Sequence, residues 1–327
     1  MEYRRLGKTG REVSVIGFGA WAIGGDWGTV DDADSLRALH AAADAGVTLI
    51  DTADVYGDGR SERVIRRFLG ERPGERFFVA TKMGRRAPLD PALYTLANFR
   101  AWTDRSRENL GMDTLDLVQL HCPPTQVLYM PEVFEALDEL VADGSIAAYG
   151  VSVEKVEEAL KAIEFPGVAS IQIIFNMLRQ RPAERFLAEA ARRDVGVLAR
   201  VPLASGLLTG KLTAATAFAP DDHRRFNRHG ESFDMGETFA GVDYETGLGV
   251  VEELRRLVPE GATLAQTALR WILQHDGVTT AIPGAKTPEQ ARANAAASDL
   301  APLPPETMGR IAELYATRVK PLVHHRW

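Results

Sequence analysis

Short apolar runs alternate with amphipathic stretches along most of the chain. The runs are rich in Val, Ile, Leu and Phe and are bounded by glycine or polar residues, which predicts buried β-strands. Eight strands are predicted, at 13–19, 46–51, 76–82, 115–121, 147–152, 170–176, 195–201 and 278–283. The stretches between them have helical spacing, which predicts helices at 31–45, 61–69, 91–110, 131–142, 154–163, 182–193, 245–257, 263–274, 288–297 and 305–317.

This order of elements favours one fold class. Strands that alternate with helices are usually parallel, because a parallel connection needs a long crossover. Eight such units in 327 residues fit an α/β fold of the closed (β/α)8 TIM barrel type. We also expect an N-terminal β-hairpin over 3–13 and two extra C-terminal helices, at 288–297 and 305–317. The whole chain, 1–327, is predicted to be one barrel domain.

The alternative fold is a doubly wound open sheet. That fold commonly binds a dinucleotide through a Gly-x-Gly-x-x-Gly turn after its first strand. The glycines near the first strand here do not have that spacing; they are Gly17, Gly19, Gly24 and Gly25. The barrel is therefore preferred.

Three of the predicted strands end on a side chain that can take part in acid–base chemistry. Asp51, Lys82 and His121 end the second, third and fourth strands, and Tyr56 follows in the loop after the second. Neighbouring strands lie ~5 Å apart, and catalytic side chains of a barrel come from the C-terminal ends of its strands. We therefore expect these four side chains to share one pocket.

The four side chains together suit proton donation to a carbonyl oxygen. A free tyrosine has a pKa near ~10, and we expect the cation of Lys82 to lower the pKa of Tyr56. Asp51 can pair with Lys82 and keep it charged, while His121 can hydrogen-bond a substrate oxygen. Such a site suits protonation of a developing alkoxide together with hydride delivery.

Composition and charge argue against several other classes. The formal net charge of −7 argues against general nucleic-acid binding, which usually needs a basic face. Cys122 is the single cysteine, so we expect no intrachain disulfide, no cysteine-based zinc cluster and no metal site. No apolar run reaches the ~18 residues of a membrane span, and the polar N-terminus lacks a secretory signal. These features predict a cytoplasmic protein that does not act at a membrane.

Ordered motifs along nearly the whole chain resemble the aldo-keto reductase superfamily. They are Leu6-Gly7-Lys8-Thr9-Gly10, Ile16-Gly17-Phe18-Gly19, Asp51-Thr52-Ala53-Asp54-Val55-Tyr56-Gly57, Ala80-Thr81-Lys82, Asp116-Leu117-Val118-Gln119-Leu120-His121, Tyr149-Gly150-Val151-Ser152, Pro202-Leu203-Ala204-Ser205-Gly206-Leu207-Leu208-Thr209-Gly210-Lys211 and Ile282-Pro283-Gly284-Ala285-Lys286-Thr287-Pro288-Glu289-Gln290. The resemblance implies a (β/α)8 barrel with the four strand-end residues as a catalytic tetrad. It also implies NADPH bound across the C-terminal face of the barrel, without a Rossmann fold.

The resemblance further implies positions for the nicotinamide. Ser152 and Gln172 match the residues that hold its amide in the family, and Val153 stands where an Asn is frequent. Arg200 lies where a tyrosine usually stacks on the nicotinamide ring, and a planar guanidinium can stack in the same way. Some branches of the family have Arg at this position. Trp21 is a candidate for the wall of the substrate pocket.

The phosphates and the adenosine end are assigned in the same way. Backbone N–H groups and one lysine suit a pyrophosphate, and the matching residues are Leu203, Ser205, Gly206, Leu207 and Lys211. The loop and helix that hold the adenosine end match Gly284, Lys286, Gln290 and Asn294. Lys286 precedes a helix start at Pro288, so its charge adds to the helix N-terminus in favouring a phosphate. With one cation there, the expected cofactor is NADPH, and NADH is possible.

The expected function is NADPH-dependent reduction of aldehyde or ketone carbonyls of small molecules to alcohols, with Tyr56 as general acid. Two alternatives stay open: a cofactor-sensing binding subunit with slow turnover, and a barrel lyase or isomerase that uses Lys82 as a Schiff base. The irregular segment 202–243 is expected to lie over the active face. Its arginines 224, 225 and 228 fit a mobile lid or a solvated loop equally well, and His223 and His229 are expected to face solvent.

Overall fold

A closed barrel is the central feature of the structure, a computed structural model that describes residues 1–25, 27–28 and 30–327. Within these residues, eight parallel strands follow one another in chain order around one sheet. They are β3 (Phe18–Gly19), β4 (Leu49–Asp51), β5 (Phe78–Met83), β6 (Leu117–His121), β7 (Tyr149–Ser152), β8 (Val168–Ile174), β9 (Gly196–Arg200) and β10 (Thr280–Ala281). Parallel bridges from Ile16 to Ala281 and from Gly19 to Gly284 join the first strand to the last. The predicted (β/α)8 fold is confirmed.

The barrel strands are apolar because both of their faces are covered. Every residue of β5, β6 and β8 is buried, which is typical of a parallel sheet enclosed by helices. Polar side chains that can take part in catalysis are consequently concentrated where the strands end.

Helices connect the strands and surround the barrel. They are α1 (Trp21–Gly24), α2 (Asp32–Asp44), α3 (Arg60–Glu71), α4 (Leu96–Leu110), α5 (Pro131–Ala142), α6 (Val156–Ala162), α7 (Phe186–Arg192), α8 (His223–Phe226), α9 (Tyr244–Arg255), α10 (Leu264–Leu273), α11 (Pro288–Ala295), α12 (Pro305–Leu314) and α13 (Lys320–Val323). The two predicted C-terminal helices correspond to α11 and α12. None of the helices in the described part of the chain is both long enough and apolar enough to cross a membrane.

Capping side chains explain where several helices begin. Asp31 accepts a hydrogen bond from the N–H of Ala33, and α2 begins directly after it. Thr95 accepts one from the N–H of Asn98, so α4 begins at Leu96. The predicted helix at 91–110 is therefore divided into a 3-10 turn at Pro91–Leu93 and α4.

The N-terminal hairpin lies at the end of the barrel where the strands begin. Its strands are β1 (Tyr3–Arg5) and β2 (Glu12–Ser14), joined through a 3-10 turn at Gly7–Thr9. Gly7 has a φ of 47° and lies so close to the backbone of Gly196 that a Cβ would clash. Because β2 takes up the start of the predicted strand at 13–19, only Phe18–Gly19 is left as the first barrel strand.

The segment 202–243 lies against the opposite end of the barrel. It contains short 3-10 turns at Ala204–Thr209, Met235–Glu237 and Phe239–Gly241, besides α8. An antiparallel bridge between Trp27 and Asp222 joins it to the loop after β3. Its position over the strand ends agrees with the expectation from the sequence.

Candidate active site

A buried ion pair lies where the second and third barrel strands end. Lys82 Nζ donates to Asp51 Oδ1 at 2.6 Å and to the carbonyl of Thr52 at 2.7 Å. Burial is the largest single effect and acts to lower the pKa of Lys82, but Asp51 and Tyr56 together raise it by more, so that the net pKa is raised. Lys82 is therefore a charged ammonium, which argues against its use as a Schiff-base nucleophile.

The phenol of Tyr56 lies beside this ammonium. Lys82 Nζ donates to Tyr56 Oη at 3.4 Å and lies 5.0 Å from the centre of the ring. The loop that carries Tyr56 is attached to β5, because the N–H of Asp54 donates to the carbonyl of Lys82 at 3.2 Å. Gly24 packs on the backbone of Tyr56 so closely that a Cβ would clash. The phenol is thus held in place from two sides.

The expected effect of Lys82 on the phenol is outweighed by two other effects. Burial raises the pKa of Tyr56, Lys82 lowers it, and the Asp51 carboxylate raises it again, so that the net pKa is above the ordinary value. The prediction of a net lowered pKa is wrong because burial, the largest effect, outweighs Lys82, and the carboxylate of Asp51 offsets part of the positive charge of the ammonium. Tyr56 is consequently protonated at neutral pH, as a proton donor must be.

His121 ends β6 and completes the predicted set. Its ring centre lies 5.9 Å from that of Tyr56, and the two planes are nearly perpendicular, at 85°. Burial lowers the pKa of His121 well below its usual value, and the cations of Arg85 and Lys82 lower it further. The imidazole is therefore neutral at neutral pH, and the pocket contains all four side chains that the sequence singled out.

The two residues predicted to hold the nicotinamide amide lie on the next strands. Ser152 pairs with His121 in the register of β6 and β7, and with Gln172 in the register of β7 and β8. Gln172 Nε2 donates to Asp51 Oδ2 at 2.7 Å, so Gln172 also orients the carboxylate that holds Lys82. Ser152 Oγ lies 3.7 Å from Cys122 Sγ. Both predicted side chains therefore border the pocket.

Arg200 ends β9 and lies among carboxylates. Its guanidinium contacts Glu154 at 2.8 Å and Glu237 at 3.4 Å, and it donates to the carbonyl of Val153 at 3.1 Å. Burial acts to lower the pKa of Arg200, but Glu154 and other neighbours keep it well above the ordinary value. The predicted stacking residue is thus a fixed cation at the edge of the pocket.

Three charged residues of this pocket were missed by sequence reasoning: Arg85, Glu154 and Glu237. Arg85 and Glu154 each lie two residues beyond a barrel strand, β5 and β7 respectively, so the position of strand ends could have identified them. Glu237 comes from the segment 202–243, where no periodicity indicates which side chains return to the barrel. Arg85 Nη1 donates to Glu237 Oε1 at 2.8 Å.

The two glutamates differ in protonation. Burial raises the pKa of Glu154 to about 7. Burial acts in the same direction on Glu237, but Arg85 and Arg200 bring its pKa down to about 2. Cys122, Glu154 and Glu237 place their ligand atoms within 4.8 Å of one another. Because the two arginines already pair with these carboxylates, the group acts as an ion-pair network rather than a cation site.

The segment predicted to wrap the pyrophosphate has an unusual backbone. The 3-10 turn at Ala204–Thr209 contains consecutive left-handed residues, with φ of 47° at Ala204, 53° at Ser205 and 97° at Gly206. Within this turn, the N–H of Ala204 donates to the carbonyl of Val201 at 3.0 Å and the N–H of Gly206 to that of Leu203 at 2.9 Å. Ser205 Oγ donates to the carbonyl of Glu237 at 2.9 Å, and Lys211 is exposed just beyond the turn. The residues predicted for the pyrophosphate therefore lie in or next to one turn: Leu203, Ser205, Gly206, Leu207 and Lys211.

The residues predicted for the adenosine end also lie together. The N–H of Lys286 donates to Gln290 Oε1 at 2.8 Å, and Asn294 Nδ2 donates to the carbonyl of Gly284 at 3.1 Å. Lys286 Nζ donates to the carbonyl of Trp27. Burial lowers the pKa of Lys286, and the nearby cation Arg224 lowers it further.

Aromatic rings form the wall beside Tyr56. Trp21 lies nearly parallel to the Tyr56 ring, with centres 6.2 Å apart, and contacts Trp27 edge-on at 5.5 Å. The candidate pocket residue Trp21 is therefore next to the phenol. The expectation that His223 faces solvent is wrong: it is completely buried, with its ring 4.7 Å from Trp21 and 4.4 Å from Trp27. The sequence does not indicate this burial, because the two tryptophans that cover His223 lie far from it along the chain, in α1 and in the loop after α1.

Two arginines of the segment 202–243 pack on aromatic rings. Arg224 pairs with Asp222 at 2.6 Å and lies over Trp27 at 4.9 Å and Phe218 at 4.6 Å. Arg228 lies over Tyr244 at 4.8 Å. These contacts are cation–π interactions that hold the segment against the barrel, so Arg224 and Arg228 do not form a solvated loop.

The fold and the site together indicate the class of protein to which the chain belongs. The closed barrel has an acid–base pocket at its strand ends, and the sequence does not contain the Gly-rich turn by which a Rossmann fold binds a dinucleotide. The family model described as "Aldo/keto reductase family" matches residues 15–316. The chain therefore belongs to the aldo/keto reductase family, a family of oxidoreductases, and the resemblance seen in the sequence is confirmed.

Individual relatives agree with this assignment. The aldo-keto reductase YhdN of Bacillus subtilis is 34% identical over 304 residues, which cover 90% of this chain and 87% of the relative. An NADH-specific methylglyoxal reductase of Escherichia coli is 30% identical over 90% of this chain and 93% of its own length. A crystal structure of an aldo/keto reductase from Klebsiella pneumoniae in complex with NADP and acetate has a TM-score of 0.71 and 26% identity. It covers 96% of this chain and 95% of that one.

Proposed function

We propose that the protein is an NAD(P)H-dependent reductase of aldehydes or ketones in which Tyr56 is the general acid. The observation that carries the proposal is the chain of contacts from Asp51 to Lys82 to Tyr56, at 2.6 Å and 3.4 Å. A phenol beside a permanently charged ammonium can give up its proton when a stronger base forms next to it.

The roles of the four residues follow from their surroundings. Asp51 keeps Lys82 charged and fixed. Lys82 stabilises the phenolate that Tyr56 becomes when it protonates a developing alkoxide, because an adjacent cation favours the charged form. An alkoxide is far more basic than a phenolate, so the raised pKa of Tyr56 does not prevent this transfer. His121 is neutral and lines the position of the carbonyl oxygen.

The residues around the pocket fit a nicotinamide dinucleotide. The buried guanidinium of Arg200 ends β9, with an Nε atom that has no hydrogen-bond partner among the described residues. Ser152 and Gln172 lie on the preceding strands β7 and β8, and the turn at Ala204–Thr209 follows β9 along the chain. When bound, the reduced cofactor supplies the hydride for the carbonyl carbon. Arg200 would stack on its ring, and Ser152 and Gln172 would hold its amide.

The other end of the cofactor is assigned to Gly284, Lys286, Gln290 and Asn294. Lys286 precedes α11, whose N-terminus favours a phosphate. A single lysine at this position supports preference for NADPH with use of NADH, which is consistent with the NADP complex of one relative and the NADH specificity of another.

The proposal is tested by isotope transfer. The protein is mixed with a panel of aldehydes and ketones and with NADPH or NADH deuterated at C4 of the nicotinamide. We expect the product alcohol to contain deuterium at the former carbonyl carbon, at a rate that depends on enzyme concentration. Tight cofactor binding with no product from any member of the panel would refute the reductase proposal and favour the cofactor-sensing subunit.

A further inference from the structure

Two arginines converge on one carboxylate directly beside His121. Arg85 Nη1 lies 2.8 Å from Glu237 Oε1 and 3.4 Å from His121 Nε2. Arg200 Nη1 lies 3.4 Å from the same glutamate oxygen. The pocket therefore has a position for an anion, adjacent to the imidazole that the proposed function places at the carbonyl oxygen.

Glu237 reaches this position from outside the barrel. Its backbone is held by the segment 202–243, since Ser205 Oγ donates to the Glu237 carbonyl and accepts from the N–H of Phe239 at 3.0 Å. These bonds do not involve the side chain. A rotation about its own side-chain bonds would move the carboxylate off Arg85 while the backbone stays in place.

The arginines need an anion there because burying unpaired guanidinium groups is costly. Glu237 is nearly inaccessible, with 3% of its surface exposed, while the side chain of Arg85 keeps 20%. A second carboxylate could take the place of that of Glu237 on Arg85 and give this guanidinium a partner of the same charge. A neutral group could not, since it would leave Arg85 without an anionic partner, whereas Arg200 would still pair with Glu154 at 2.8 Å.

We propose that the substrates are 2-oxo acids and that Arg85 is the residue that selects them. The substrate carboxylate takes the position of the Glu237 carboxylate on Arg85, and the adjacent carbonyl then lies at His121 and Tyr56. The inference rests on the proposed function. In the reaction, the hydride from the reduced cofactor forms the new C–H bond, the carbonyl π bond breaks, and Tyr56 protonates the oxygen. The 2-oxo acid becomes a 2-hydroxy acid, and the cofactor is oxidised.

A matched pair of substrates separates carboxylate recognition from chemistry. Pyruvate and methyl pyruvate carry the same ketone, but only pyruvate carries a negative charge. The measured quantity is the ratio of kcat/KM for pyruvate to that for methyl pyruvate with saturating NADPH. A general loss of activity cancels in this ratio, because both substrates use Tyr56.

Variants of Arg85 and of Glu237 should change the ratio in opposite directions. Arg85→Gln should lower it roughly tenfold to a hundredfold, which corresponds to the loss of one charge-assisted hydrogen bond. Glu237→Gln should raise it about threefold or more, because the competing carboxylate of the protein is gone. Arg86→Gln is the control, since Arg86 pairs with Asp58 at 2.7 Å outside the pocket, and it should leave the ratio unchanged. If Arg85→Gln does not fold, Arg85→Lys keeps the charge but loses the planar fork and should give a smaller decrease.

The outcomes distinguish this inference from the proposed function. An unchanged ratio in the Arg85 variants, or equal losses for the acid and the ester, overturns carboxylate recognition by Arg85. In that case reduction of methyl pyruvate by the wild type still supports the reductase. Failure of the wild type to reduce any carbonyl with either cofactor instead refutes the proposed function itself.

Discussion

At the scale of single residues, the pocket is built from buried charges that have partners. Lys82 has Asp51, and Arg85 and Arg200 have Glu237. Pairing of this kind keeps charged groups ionised in a place where burial alone would neutralise them. Asp54, three residues beyond Asp51, differs: its Oδ1 atom has no hydrogen-bond partner among the residues that the structure describes.

Asp54 should make the stability of the protein depend on pH. Burial raises the pKa of Asp54 to about 7, and the neighbouring carboxylate Glu62 raises it further. In the unfolded chain the pKa is near ~3.9, so the folded state holds the proton more tightly. The ionisation of Asp54 should therefore lower the free energy of unfolding as the pH rises from about 4 to about 7. Above about pH 7 the free energy of unfolding should stay at the lower value.

Asp54→Asn removes this dependence. The variant should be more stable than the wild type at pH 8, by at most about 4 kcal/mol, and the gain should vanish near pH 4. Thermal unfolding at both pH values measures it. Asp58→Asn is the control: Arg105 and Arg86 lower the pKa of this exposed carboxyl, so it should bring no gain at pH 8. An equal gain for Asp54→Asn at both pH values would contradict the assignment.

At the scale of elements, the segment 202–243 is held in place by Trp327. Trp327 Nε1 donates to Asp234 Oδ1 at 3.0 Å, and Arg179 stacks on the indole at 3.9 Å. Phe239, Ala240 and Gly241 follow with φ of 52°, 58° and 75°. Left-handed backbone at non-glycine residues is unfavourable and persists only where the surroundings enforce it. The contacts of Trp327 therefore help to position Glu237.

Two glycines with similar backbone conformation test this packing. Gly241 has a φ of 75° and lies against the Trp327 ring, where a Cβ would clash, whereas Gly261 has a φ of 79° and open space around it. Gly261→Ala should cost about 1 kcal/mol for its backbone alone. Gly241→Ala should cost about 1–3 kcal/mol more, because the ring must move. Denaturant unfolding compares the two variants, and equal losses would show that Trp327 does not constrain this segment.

The predicted and missed parts of the site differ for a physical reason. Asp51, Lys82 and His121 could be predicted because parallel strands bring their ends to one place, and strand ends are visible in the pattern of apolar residues. Glu237 and Trp327 could not, since their contacts depend on how a long segment without periodicity packs back on the barrel. The sign of the pKa change at Tyr56 was missed because it depends on burial, which the sequence does not specify for a loop residue.

At the scale of the whole molecule, cofactor binding should increase the stability of the fold. A ligand that binds only the folded state raises the free energy of unfolding, by about 2.7 kcal/mol at a hundred times its Kd. The assigned cofactor residues come from β7, β8 and β9, from the turn after β9, and from α11 and the loop before it, on separate parts of the barrel rim. Binding should therefore stabilise the barrel as a unit rather than one loop.

Lys286→Gln tests the end of the cofactor that carries the extra phosphate. The variant should weaken NADPH binding roughly tenfold to a hundredfold, the loss of a charge-assisted contact, and weaken NADH binding much less. The increase in Tm on adding each cofactor measures both effects. Lys320→Gln is the control, because Lys320 pairs with Glu184 at 2.8 Å away from the site. Equal losses of affinity for NADPH and NADH would contradict a contact between Lys286 and the extra phosphate.

The proton donor is the central claim, and Tyr56→Phe tests it most directly. Kinetics with NADPH and a reactive aldehyde are compared with the Kd of NADPH for the same variant. Tyr94→Phe is the matched control, because the buried Tyr94 hydroxyl has no hydrogen-bond partner in the described part of the chain. Tyr56→Phe should lower kcat about 10²–10⁴-fold with little change in the Kd of NADPH, while Tyr94→Phe keeps kcat. A kcat for Tyr56→Phe close to that of the wild type would contradict the account.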